Sequence, residues 1–233
     1  MKAMILAAGR GERMRPLTDA LPKPLLKVAG QSLIEHHIQS LYRADIRDIV
    51  INHAWLGQKI EAVLGDGHQF GVNIQYSREE SALETAGGIR QALPLLGKEP
   101  FIVVNGDIWT DYPFQQLVSL AKKGFNQSVW ASLVLAPNPD HHSEGDFCCS
   151  DESPLLYEKG IYPDIPCYTF TGMGVYHPKI FYFLEENEPQ ALAPVLRALI
   201  REQHVTGQIY DGDWFDVGTP ERLDEINRYL SEK

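Results

Sequence analysis

The amino-acid sequence predicts an α/β fold, a doubly wound, mixed and mainly parallel sheet with helices on both faces. Short apolar runs alternate along the chain with segments whose apolar residues recur at helical spacing. The run Ala3–Ala8 is apolar without interruption, which is typical of a parallel strand buried on both faces. The chain has 233 residues, 44% of them hydrophobic, which is enough for one sizeable core, and we expect a single domain over 1–233.

The first half of the chain carries the regular alternation. Its predicted strands are Ala3–Ala8, Ile49–Ile51, Val72–Tyr76 and Phe101–Val104. Its predicted helices are marked by the apolar sets Ile34, Ile38 and Leu41; Ile60, Val63 and Leu64; Ile89, Leu93 and Leu96; and Phe114, Leu117, Val118 and Ala121. We expect the third of these helices to begin at Gly87-Gly88. Parallel sheets bind ligands where their strands end, so the loops of interest are Gly9–Thr18, Asn52–Gly57 and Asn105–Asp111.

The second half is less regular. Its predicted strands are Val129–Leu135, Gly172–Tyr176 and Trp214–Val217. Its predicted helices are Leu192–Ile200 and Pro220–Leu230, the second with proline at its first position. Residues 136–168 are rich in Pro, Asp, His and Ser, and we expect them to be mostly loop with a short hairpin.

Composition and charge exclude several classes of function. The 21 Lys and Arg against 31 Asp and Glu leave a net charge of −10, so we expect no nucleic-acid partner. No stretch approaches ~20 apolar residues, and the apolar N-terminal run is too short for a signal peptide, so we expect a cytoplasmic protein without a membrane partner. The three cysteines suit a reducing compartment and do not suggest a disulfide framework, and we interpret Cys148 and Cys149 as small packing residues.

A loop rich in glycine and arginine follows the first predicted strand, over Gly9–Thr18. Glycines after a strand let the backbone approach a ligand and turn its N–H groups toward an anion. Arg10, Arg13 and Arg15 add three positive charges, and Lys23 follows between two prolines. Arg13 and Lys23 could therefore hold a polyphosphate from two sides.

Two better-known phosphate loops do not match this segment. A dinucleotide-binding fingerprint needs a third glycine at position 14, where Met14 stands. A Walker A loop needs Gly-Lys followed by Ser or Thr, which occurs nowhere in the chain. The alternative to a phosphate loop is a tight turn with a solvated basic face.

Four motifs follow one another along the chain: Leu6–Thr18 with Pro22-Lys23-Pro24, Leu83–Gly88, Val104–Asp107 and Asp216–Pro220. Together they resemble the signatures of the sugar-1-phosphate nucleotidylyltransferases. The resemblance implies a Rossmann-like nucleotidyltransferase fold of the GT-A type, with the nucleotide bound by residues 1–135 and the sugar by residues 136–233. It also implies nucleotide transfer from an NTP to a sugar 1-phosphate, with Mg2+ as cofactor and pyrophosphate as the leaving group.

The resemblance assigns nucleotide-binding residues one by one. They are Ala8, Gly9, Gly11, Glu12, Arg13, Lys23, Glu84, Thr85 and Gly88. Arg13 and Lys23 are also the expected catalytic residues, because they would neutralise the triphosphate and the leaving pyrophosphate. The chain departs from the family at Glu12, where Thr is usual, and at Glu84, where thymidylyl relatives have Gly. We expect UTP as the nucleotide substrate.

Two carboxylates match the family's metal positions, Asp107 and Asp216. Each lies at the end of a predicted strand, and Mg2+ prefers carboxylates together with phosphate oxygens and water. The alternative for Asp107 is a turn residue, and Asp216 taken alone could equally belong to the N-terminal region of a helix. Asp111 is a nearby alternative ligand.

The expected sugar-binding residues are Asn105, Asp146, Thr171 and Gly172. Asp146 lies in the irregular segment and could accept hydrogen bonds from sugar hydroxyl or amide groups. The alternative for Asp146 is a solvated loop residue.

Within the family, three stretches are similar to members that act on N-acetylmuramic acid α-1-phosphate in the recycling of cell-wall sugars. These stretches are Gly9–Thr18, Ile51–Gly57 and His141–Phe147. This substrate carries a lactyl carboxylate, which favours a basic partner, and either Arg197 or Lys159 could supply one.

Other functions stay open at the level of sequence. The same reaction could use glucose, mannose or N-acetylglucosamine 1-phosphate, and the chain could be a catalytically silent nucleotide-sugar sensor. Arg13, Lys23, Asp107 and Asp216 are all present, which favours an enzyme over a sensor. Met14 counts against a dinucleotide-dependent oxidoreductase. We expect a monomer or a small homo-oligomer.

Overall fold

The computed structural model describes residues 1–124, 128–150 and 152–233, and its described strands form one nine-stranded sheet and two small two-stranded sheets. The strands are β1 (Lys2–Leu6), β2 (Lys27–Val28), β3 (Gln31–Ser32), β4 (Asp48–His53), β5 (Asn73–Arg78), β6 (Phe101–Asn105), β7 (Ile108–Thr110), β8 (Ala131–Ala136), β9 (Phe147–Ser150), β10 (Ser153–Glu158), β11 (Cys167–Tyr176), β12 (Val205–Ile209) and β13 (Trp214–Asp216).

The α-helices are α1 (Leu17–Ala20), α2 (Leu33–Arg43), α3 (Gly57–Leu64), α4 (Glu84–Leu96), α5 (Gln115–Gly124), α6 (Leu192–Arg201) and α7 (Pro220–Glu232). Short 3-10 helices lie at Glu12–Met14, Lys23–Leu25, His68–Phe70, Asp140–His142 and Pro178–Phe181. None of the described helices is long and apolar enough to cross a membrane.

The large sheet has a parallel half and a mixed half. Its strand order is β5-β4-β1-β6-β11-β8-β12-β10-β9. The strands β5, β4, β1 and β6 run parallel to one another, whereas β11 is antiparallel to both β6 and β8. Strand β12 is parallel to β8, and β10 is antiparallel to β12. This arrangement confirms the predicted mixed α/β sheet.

Apolar residues that alternate along β1 supply the cores on both faces of the sheet. Met4 packs toward α4 and α6 with Ile89 and Leu196, whereas Ile5 packs toward α2 with Ile38. Met4 and Ile5 are fully buried, as a strand covered on both faces requires. The helices on the two faces thus hold β1 and β6 in place, and these strands fix where the loops that follow them begin.

Helix starts are set by local sequence. Ser32 caps α2 in a reciprocal capping box with Glu35. Thr219 caps α7, and its hydroxyl oxygen accepts a hydrogen bond from the backbone N–H of Arg222, with Pro220 as the first helical residue. The cap fixes the point where the chain leaves β13 and enters α7.

Several predicted boundaries move. Strand β1 ends at Leu6, so Ala7 and Ala8 belong to the following loop, and α4 begins at Glu84 rather than at Gly87. Strand β11 begins at Cys167, five residues before the predicted Gly172. The hairpin expected within 136–168 is present as β9 and β10. Strand β12 escaped prediction because its sequence, Val-Thr-Gly-Gln-Ile, has no continuous apolar run.

The expectation about cysteines is wrong for one of the two adjacent residues. Cys148 on β9 lies opposite Cys167 on β11, and the two form a disulfide bond. Cys149 is buried and takes no part in that disulfide, as expected for a packing residue. Sequence spacing did not indicate the bond because it depends on the register between β9 and β11, and β10 lies between these strands along the chain.

Candidate active site

Three adjoining cavities lie at the carboxyl ends of β1 and β6. Asn105, the last residue of β6, lines all three cavities and joins them. The loop cavity is lined by Leu6, Ala7, Ala8, Gly9, Lys23, Pro24, Asn52, Ala82, Glu84, Thr85, Asn105, Gly106 and Asp107. The acidic cavity is lined by Arg13, Asn105, Asp107, Ile108, His141, His142, Asp146, Thr169, Phe170, Thr171, Trp214, Asp216 and Arg222. The apolar cavity is lined by Glu84, Thr85, Asn105, Asp146, Phe147, Phe170, Ala191, Leu192, Ala193, Leu196 and Arg197.

The glycine loop is shaped by a required glycine at position 11. Gly11 has a φ of +69°, and its carbonyl oxygen accepts hydrogen bonds from the Thr18 hydroxyl at 2.8 Å and the Met14 backbone N–H at 2.9 Å. A Cβ at Gly11 would lie 3.0 Å from the Thr18 side chain. Gly11 therefore shapes the loop, whereas Ala8 and Gly9 line the loop cavity.

The three loop arginines have different surroundings. Arg10 donates to the Thr18 carbonyl oxygen at 2.9 Å and stacks on the Trp55 ring at 4.0 Å, and both Arg10 and Arg15 pair with Asp19. Arg13 is exposed, lines the acidic cavity and has no hydrogen bond or ion pair with another residue that the structure describes. Arg13 is thus the loop arginine whose charge is available to a ligand.

Glu12, also predicted to bind nucleotide, is exposed and lies outside the three cavities. Its carboxylate faces Arg10 at 3.7 Å and Arg15 at 3.8 Å. Ion pairs as exposed as these contribute little to stability. The side chain of Glu12 therefore pairs with other charged residues on the exposed surface of the loop.

Lys23 and Asp107 form an ion pair between the loop cavity and the acidic cavity. Lys23 is only 7% exposed, and its Nζ lies 2.6 Å from Oδ2 of Asp107. Pro22 holds an extended backbone before the 3-10 turn that carries Lys23. A lysine this buried is rare unless it is paired, so the carboxylate of Asp107 compensates its charge.

Asp107 and Asp216 are brought together by the small sheet of β7 and β13. Asp216 lies opposite Ile108, and the backbone N–H of Val217 donates to the carbonyl oxygen of Asp107 at 3.0 Å. Oδ2 of Asp216 accepts a hydrogen bond from Arg222 at 2.6 Å and lies 4.0 Å from His141 Nε2. Strand pairing thereby places two carboxylates that are far apart in sequence in the wall of one cavity.

The donor set of this pair suits Mg2+. Oδ1 of Asp107 and Oδ1 of Asp216 accept no hydrogen bond from any described residue, since the ion pairs with Lys23 and Arg222 use Oδ2. Mg2+ is commonly held by one or two carboxylates, with substrate phosphates and water as the other ligands. Among the described residues, no group of three or more His, Cys, Asp and Glu side chains is arranged to hold a metal. Asp111 faces elsewhere: its Oδ1 accepts hydrogen bonds from the Tyr210 hydroxyl at 2.5 Å and the Asp213 N–H at 2.9 Å.

A buried polar network that sequence reasoning missed supports the back of the loop cavity. Asn52 accepts a hydrogen bond from the Ala7 N–H at 3.0 Å and donates to Glu79 Oε1 at 2.6 Å. The other oxygen of Glu79 accepts from the Leu83 N–H at 2.9 Å, and burial raises the pKa of Glu79. The network ties the loop after β1 to the start of α4. Asn52 stood in a loop of interest, but no sequence signal marked Glu79.

Gly88 belongs to this supporting layer. A Cβ at Gly88 would lie 2.7 Å from Glu79 Oε1 and 2.8 Å from Asn52 Nδ2. Gly88 lines none of the three cavities, so the structure places this predicted nucleotide-binding residue behind the cavity wall. Its lack of a side chain leaves the space that the Asn52–Glu79 hydrogen bond occupies.

Glu84 and Thr85 form the wall shared by the loop cavity and the apolar cavity. Glu84 is the first residue of α4 and has a φ of +56°, in the region that favours glycine. Holding a residue with a side chain there costs about 1–2 kcal/mol. Strain of this kind persists where the surrounding structure enforces it, and it is concentrated at functional sites.

Asp146 is anchored rather than solvated. Its Oδ2 accepts a hydrogen bond from the Phe170 N–H at 2.8 Å, and its Oδ1 lies 3.1 Å from His142 Nε2. Its own N–H donates to the Tyr168 carbonyl oxygen at 2.8 Å. These bonds to β11 hold the carboxylate in the wall between the acidic cavity and the apolar cavity.

Thr171 and Gly172 position the neighbouring wall. The buried Thr171 hydroxyl donates to the Val134 carbonyl oxygen at 2.8 Å. The backbone carbonyl oxygen of Thr171 accepts a hydrogen bond from the Trp214 indole N–H at 2.9 Å. Gly172 has a φ of +80°, and a Cβ there would lie 2.5 Å from Asn105 Nδ2. Thr171 lines the acidic cavity, whereas Gly172 makes room for the side chain of Asn105.

The structure distinguishes the two basic residues, Arg197 and Lys159, that the sequence offered as partners of a substrate carboxylate. Arg197 on α6 lines the apolar cavity. Lys159 pairs with Glu144 and lies outside the three cavities. Arg197 is therefore the one of the two that can meet a ligand in this cleft.

Comparisons with known proteins agree with this arrangement. A family model described as Nucleotidyl transferase matches residues 2–233. The N-acetylmuramate alpha-1-phosphate uridylyltransferase of Neisseria meningitidis is 52% identical over 229 residues, which cover 97% of this chain and 96% of that protein. The protein of the same name from Caulobacter vibrioides is 33% identical over 226 residues, covering 94% of this chain and 92% of that protein.

Other relatives have names that give other sugar 1-phosphates. The mannose-1-phosphate guanyltransferase of Hypocrea jecorina is 30% identical over 232 residues, which cover 94% of this chain and 61% of that protein. Among solved structures, a putative glucose-1-phosphate thymidylyltransferase from Bacillus anthracis, crystallised with a sucrose, superposes with a TM-score of 0.86 at 25% identity. That likeness covers 100% of this chain and 96% of the solved chain.

Proposed function

This chain belongs to the nucleotidyl transferase family, and from that premise we propose that it transfers UMP from UTP to N-acetylmuramic acid α-1-phosphate. The products are UDP-N-acetylmuramic acid and pyrophosphate. The observation that carries the proposal is the 52% identity, over nearly the whole of both chains, to a uridylyltransferase named for this substrate. The cleft supports it, because the charged residues expected for phosphate chemistry line adjoining cavities.

The proposed reaction is a substitution at the α-phosphorus of UTP. A phosphate oxygen of the sugar 1-phosphate forms a bond to that phosphorus, and the bond to the oxygen that bridges to the β-phosphorus breaks. Pyrophosphate leaves with the electron pair of the broken bond. Because the nucleophile is already an anion, no residue has to remove a proton. The protein must align two polyanions and compensate their charge.

The loop cavity is the proposed site of the triphosphate. Backbone N–H groups near Ala8 and Gly9 and the ammonium group of Lys23 are available to its oxygens. Arg13, unpaired among the described residues, would meet the phosphates from the acidic cavity. Charge-assisted hydrogen bonds from these groups would stabilise both the substrate and the departing pyrophosphate.

We likewise assign Asp107 and Asp216 to Mg2+. When bound, Mg2+ would supply positive charge that offsets the repulsion between the two phosphate-bearing substrates. The ion pair with Lys23 holds Asp107, and the ion pair with Arg222 holds Asp216, so both carboxylates are oriented before a ligand arrives. The proposed role of these pairs is to keep the carboxylates directed into the cavity.

The remaining predicted contacts divide between the two substrates. We assign Glu84 and Thr85 to the uridine, since they line the loop cavity beyond the phosphate loop. We assign Asn105, Asp146 and Thr171 to the sugar 1-phosphate, since all three line the acidic cavity. Asn105 borders every cavity, which places it where the two substrates would meet.

Pyrophosphate release with Mg2+, measured across a panel of nucleoside triphosphates and sugar 1-phosphates, tests this proposal. We expect release with UTP and N-acetylmuramic acid α-1-phosphate well above every other pair. Preference for glucose, mannose or N-acetylglucosamine 1-phosphate would refute the substrate and keep the reaction. A folded protein that releases pyrophosphate with no pair would refute the proposed reaction and favour a nucleotide-sugar sensor.

A further inference from the structure

The apolar cavity combines a hydrophobic wall with a single basic side chain. Phe147, Phe170, Leu192 and Leu196 supply the apolar surface, and Arg197 supplies the positive charge among the described lining residues. This composition suits a substituent that carries both alkyl groups and an anionic group. A neutral sugar with only hydroxyl groups would leave that charge without a partner.

Helix α6 presents Arg197 to the cavity through its periodicity. Leu192 and Leu196 are four residues apart, as are Ala193 and Arg197, so these two pairs occupy one side of the helix. All four residues line the apolar cavity. The small side chain of Ala193 leaves space beside the guanidinium group.

The guanidinium group of Arg197 is available to a ligand. It is exposed and has no ion pair or hydrogen bond with any residue in the described part of the chain. Arg201, one turn further along α6, is instead paired with Glu158. Two arginines on one helix thus differ in that only Arg197 lines the cleft.

The negative charges in the same cavity restrict where an anion can bind. Glu84 and Asp146 also line the apolar cavity, and both would repel a carboxylate. Asp146 is anchored by the Phe170 N–H and the His142 side chain in the wall between the apolar cavity and the acidic cavity. A carboxylate in the apolar cavity is therefore directed to Arg197, and donor groups of the sugar are directed to Asp146.

We propose that Arg197 binds the lactyl carboxylate of the sugar substrate and thereby selects a carboxylated amino-sugar 1-phosphate over its uncarboxylated counterpart. The inference rests on the proposed function and adds the residue that determines its specificity. The planar guanidinium group can form two parallel hydrogen bonds to a carboxylate, which lysine cannot reproduce. The apolar wall formed by Phe147, Phe170, Leu192 and Leu196 accommodates the methyl groups of the lactyl and acetamido substituents.

The test compares two substrates that differ only in the lactyl ether, N-acetylmuramic acid α-1-phosphate and N-acetylglucosamine α-1-phosphate. With UTP and Mg2+, Arg197→Ala is expected to lower kcat/KM for the carboxylated substrate roughly 10- to 100-fold. The value for N-acetylglucosamine α-1-phosphate is expected to change less than about 3-fold, since its contacts do not involve the guanidinium group. Arg197→Lys should restore only part of the loss.

Arg201→Ala is the matched control, because it removes an arginine from the same helix outside the cavities. We expect Arg201→Ala to leave kcat/KM unchanged for both substrates. Calorimetric titration of UDP-N-acetylmuramic acid and UDP-N-acetylglucosamine onto Arg197→Ala provides a readout independent of turnover. Affinity should fall for the first ligand alone.

The outcomes separate the two proposals. Suppose that the unmodified protein turns over N-acetylmuramic acid α-1-phosphate, and that Arg197→Ala lowers kcat/KM equally for both substrates or for neither. Arg197 then does not select the carboxylate, and the proposed function stands. If the unmodified protein shows no preference for the carboxylated substrate, the proposed substrate is wrong, and the inference fails with it.

Discussion

The backbone N–H of Val217 donates a hydrogen bond of 3.0 Å to the carbonyl oxygen of Asp107. This bond continues the pairing of β7 with β13 by one residue and joins the C-terminal part of the chain to the end of the parallel sheet. It places Asp216 beside Asp107 in the acidic cavity. The proposed metal site therefore depends on one strand pairing that the two sequence motifs do not reveal individually.

Replacing either carboxylate tests the assignment of Asp107 and Asp216. We expect Asp107→Asn and Asp216→Asn each to lower kcat about 100-fold or more, because electrostatic stabilisation at the reacting phosphates is lost. Steady-state pyrophosphate release at several Mg2+ concentrations measures the effect. Asp111→Asn is the matched control, since Asp111 lies outside the cavities and should leave the Mg2+ dependence intact. Normal turnover by either site variant would remove that residue from the site.

Lys23 is expected to contribute to binding of the triphosphate. Lys23→Ala should raise the Kd for UTP roughly 10- to 100-fold, because a charge-assisted hydrogen bond is lost and Asp107 is left without its partner. Titration of UTP followed by calorimetry checks this value. Lys27→Ala removes an exposed lysine of β2 and should bind UTP normally. Unchanged UTP affinity in Lys23→Ala would show that this ammonium does not meet the phosphates.

The backbone conformation of Glu84 is expected to lower the stability of the fold while its side chain contributes to activity with UTP. Its φ of +56° costs about 1–2 kcal/mol, so Glu84→Gly is expected to gain about 0.5–1 kcal/mol after the added chain entropy of glycine. For a chain of this size we expect a rise in Tm of roughly 1–4 °C, together with a loss of about 10-fold in kcat/KM for UTP. Gln203→Gly, at a φ of +60° outside the cleft, should raise Tm with unchanged activity. A lower Tm or full activity in Glu84→Gly would contradict the account.

His37 should make the fold sensitive to acid. Burial lowers the pKa of His37 to about 4, and its Nε2 has no hydrogen-bond partner among the described residues. Because the folded state disfavours the charged imidazole, the stability from His37 is full above the unfolded pKa of about 6.5 and falls as the pH drops toward 4. At pH 4.5 the loss should be about 2–3 kcal/mol.

Urea unfolding at pH 7 and pH 4.5 measures this loss. His37→Leu should lack that part of the pH dependence, whereas His68→Leu, at an exposed position, should behave like the unmodified protein. An equal loss of stability at pH 4.5 in His37→Leu and in the unmodified protein would show that another group is responsible.

The elements that one local sequence pattern encodes were predictable. The uninterrupted apolar run at Ala3–Ala8 made β1 predictable, and the structure buries both Met4 and Ile5 fully. Gly11 marked the loop that follows β1. Residues placed at strand ends, such as Asp107, could be assigned to the cleft because parallel strands end at the same edge.

Features that depend on pairing between distant segments were not predictable. Strand β12 is stabilised by five registered pairs with β8 rather than by its own apolar residues, and the bond between Cys148 and Cys167 follows from the register of β9 and β11. The network from Asn52 to Glu79 likewise becomes visible only when β4 and the start of α4 are adjacent. Arg197 and Lys159 could be distinguished only by where their helix and loop lie.

The most direct test of the central claim follows oxygen atoms through the reaction. N-acetylmuramic acid α-1-phosphate labelled with 18O at its non-bridging phosphate oxygens is incubated with UTP, Mg2+ and the protein, and the products are analysed by mass spectrometry. We predict UDP-N-acetylmuramic acid that retains all of the label and pyrophosphate that contains none. Label in pyrophosphate, or no nucleotide sugar from the folded protein, would contradict this prediction.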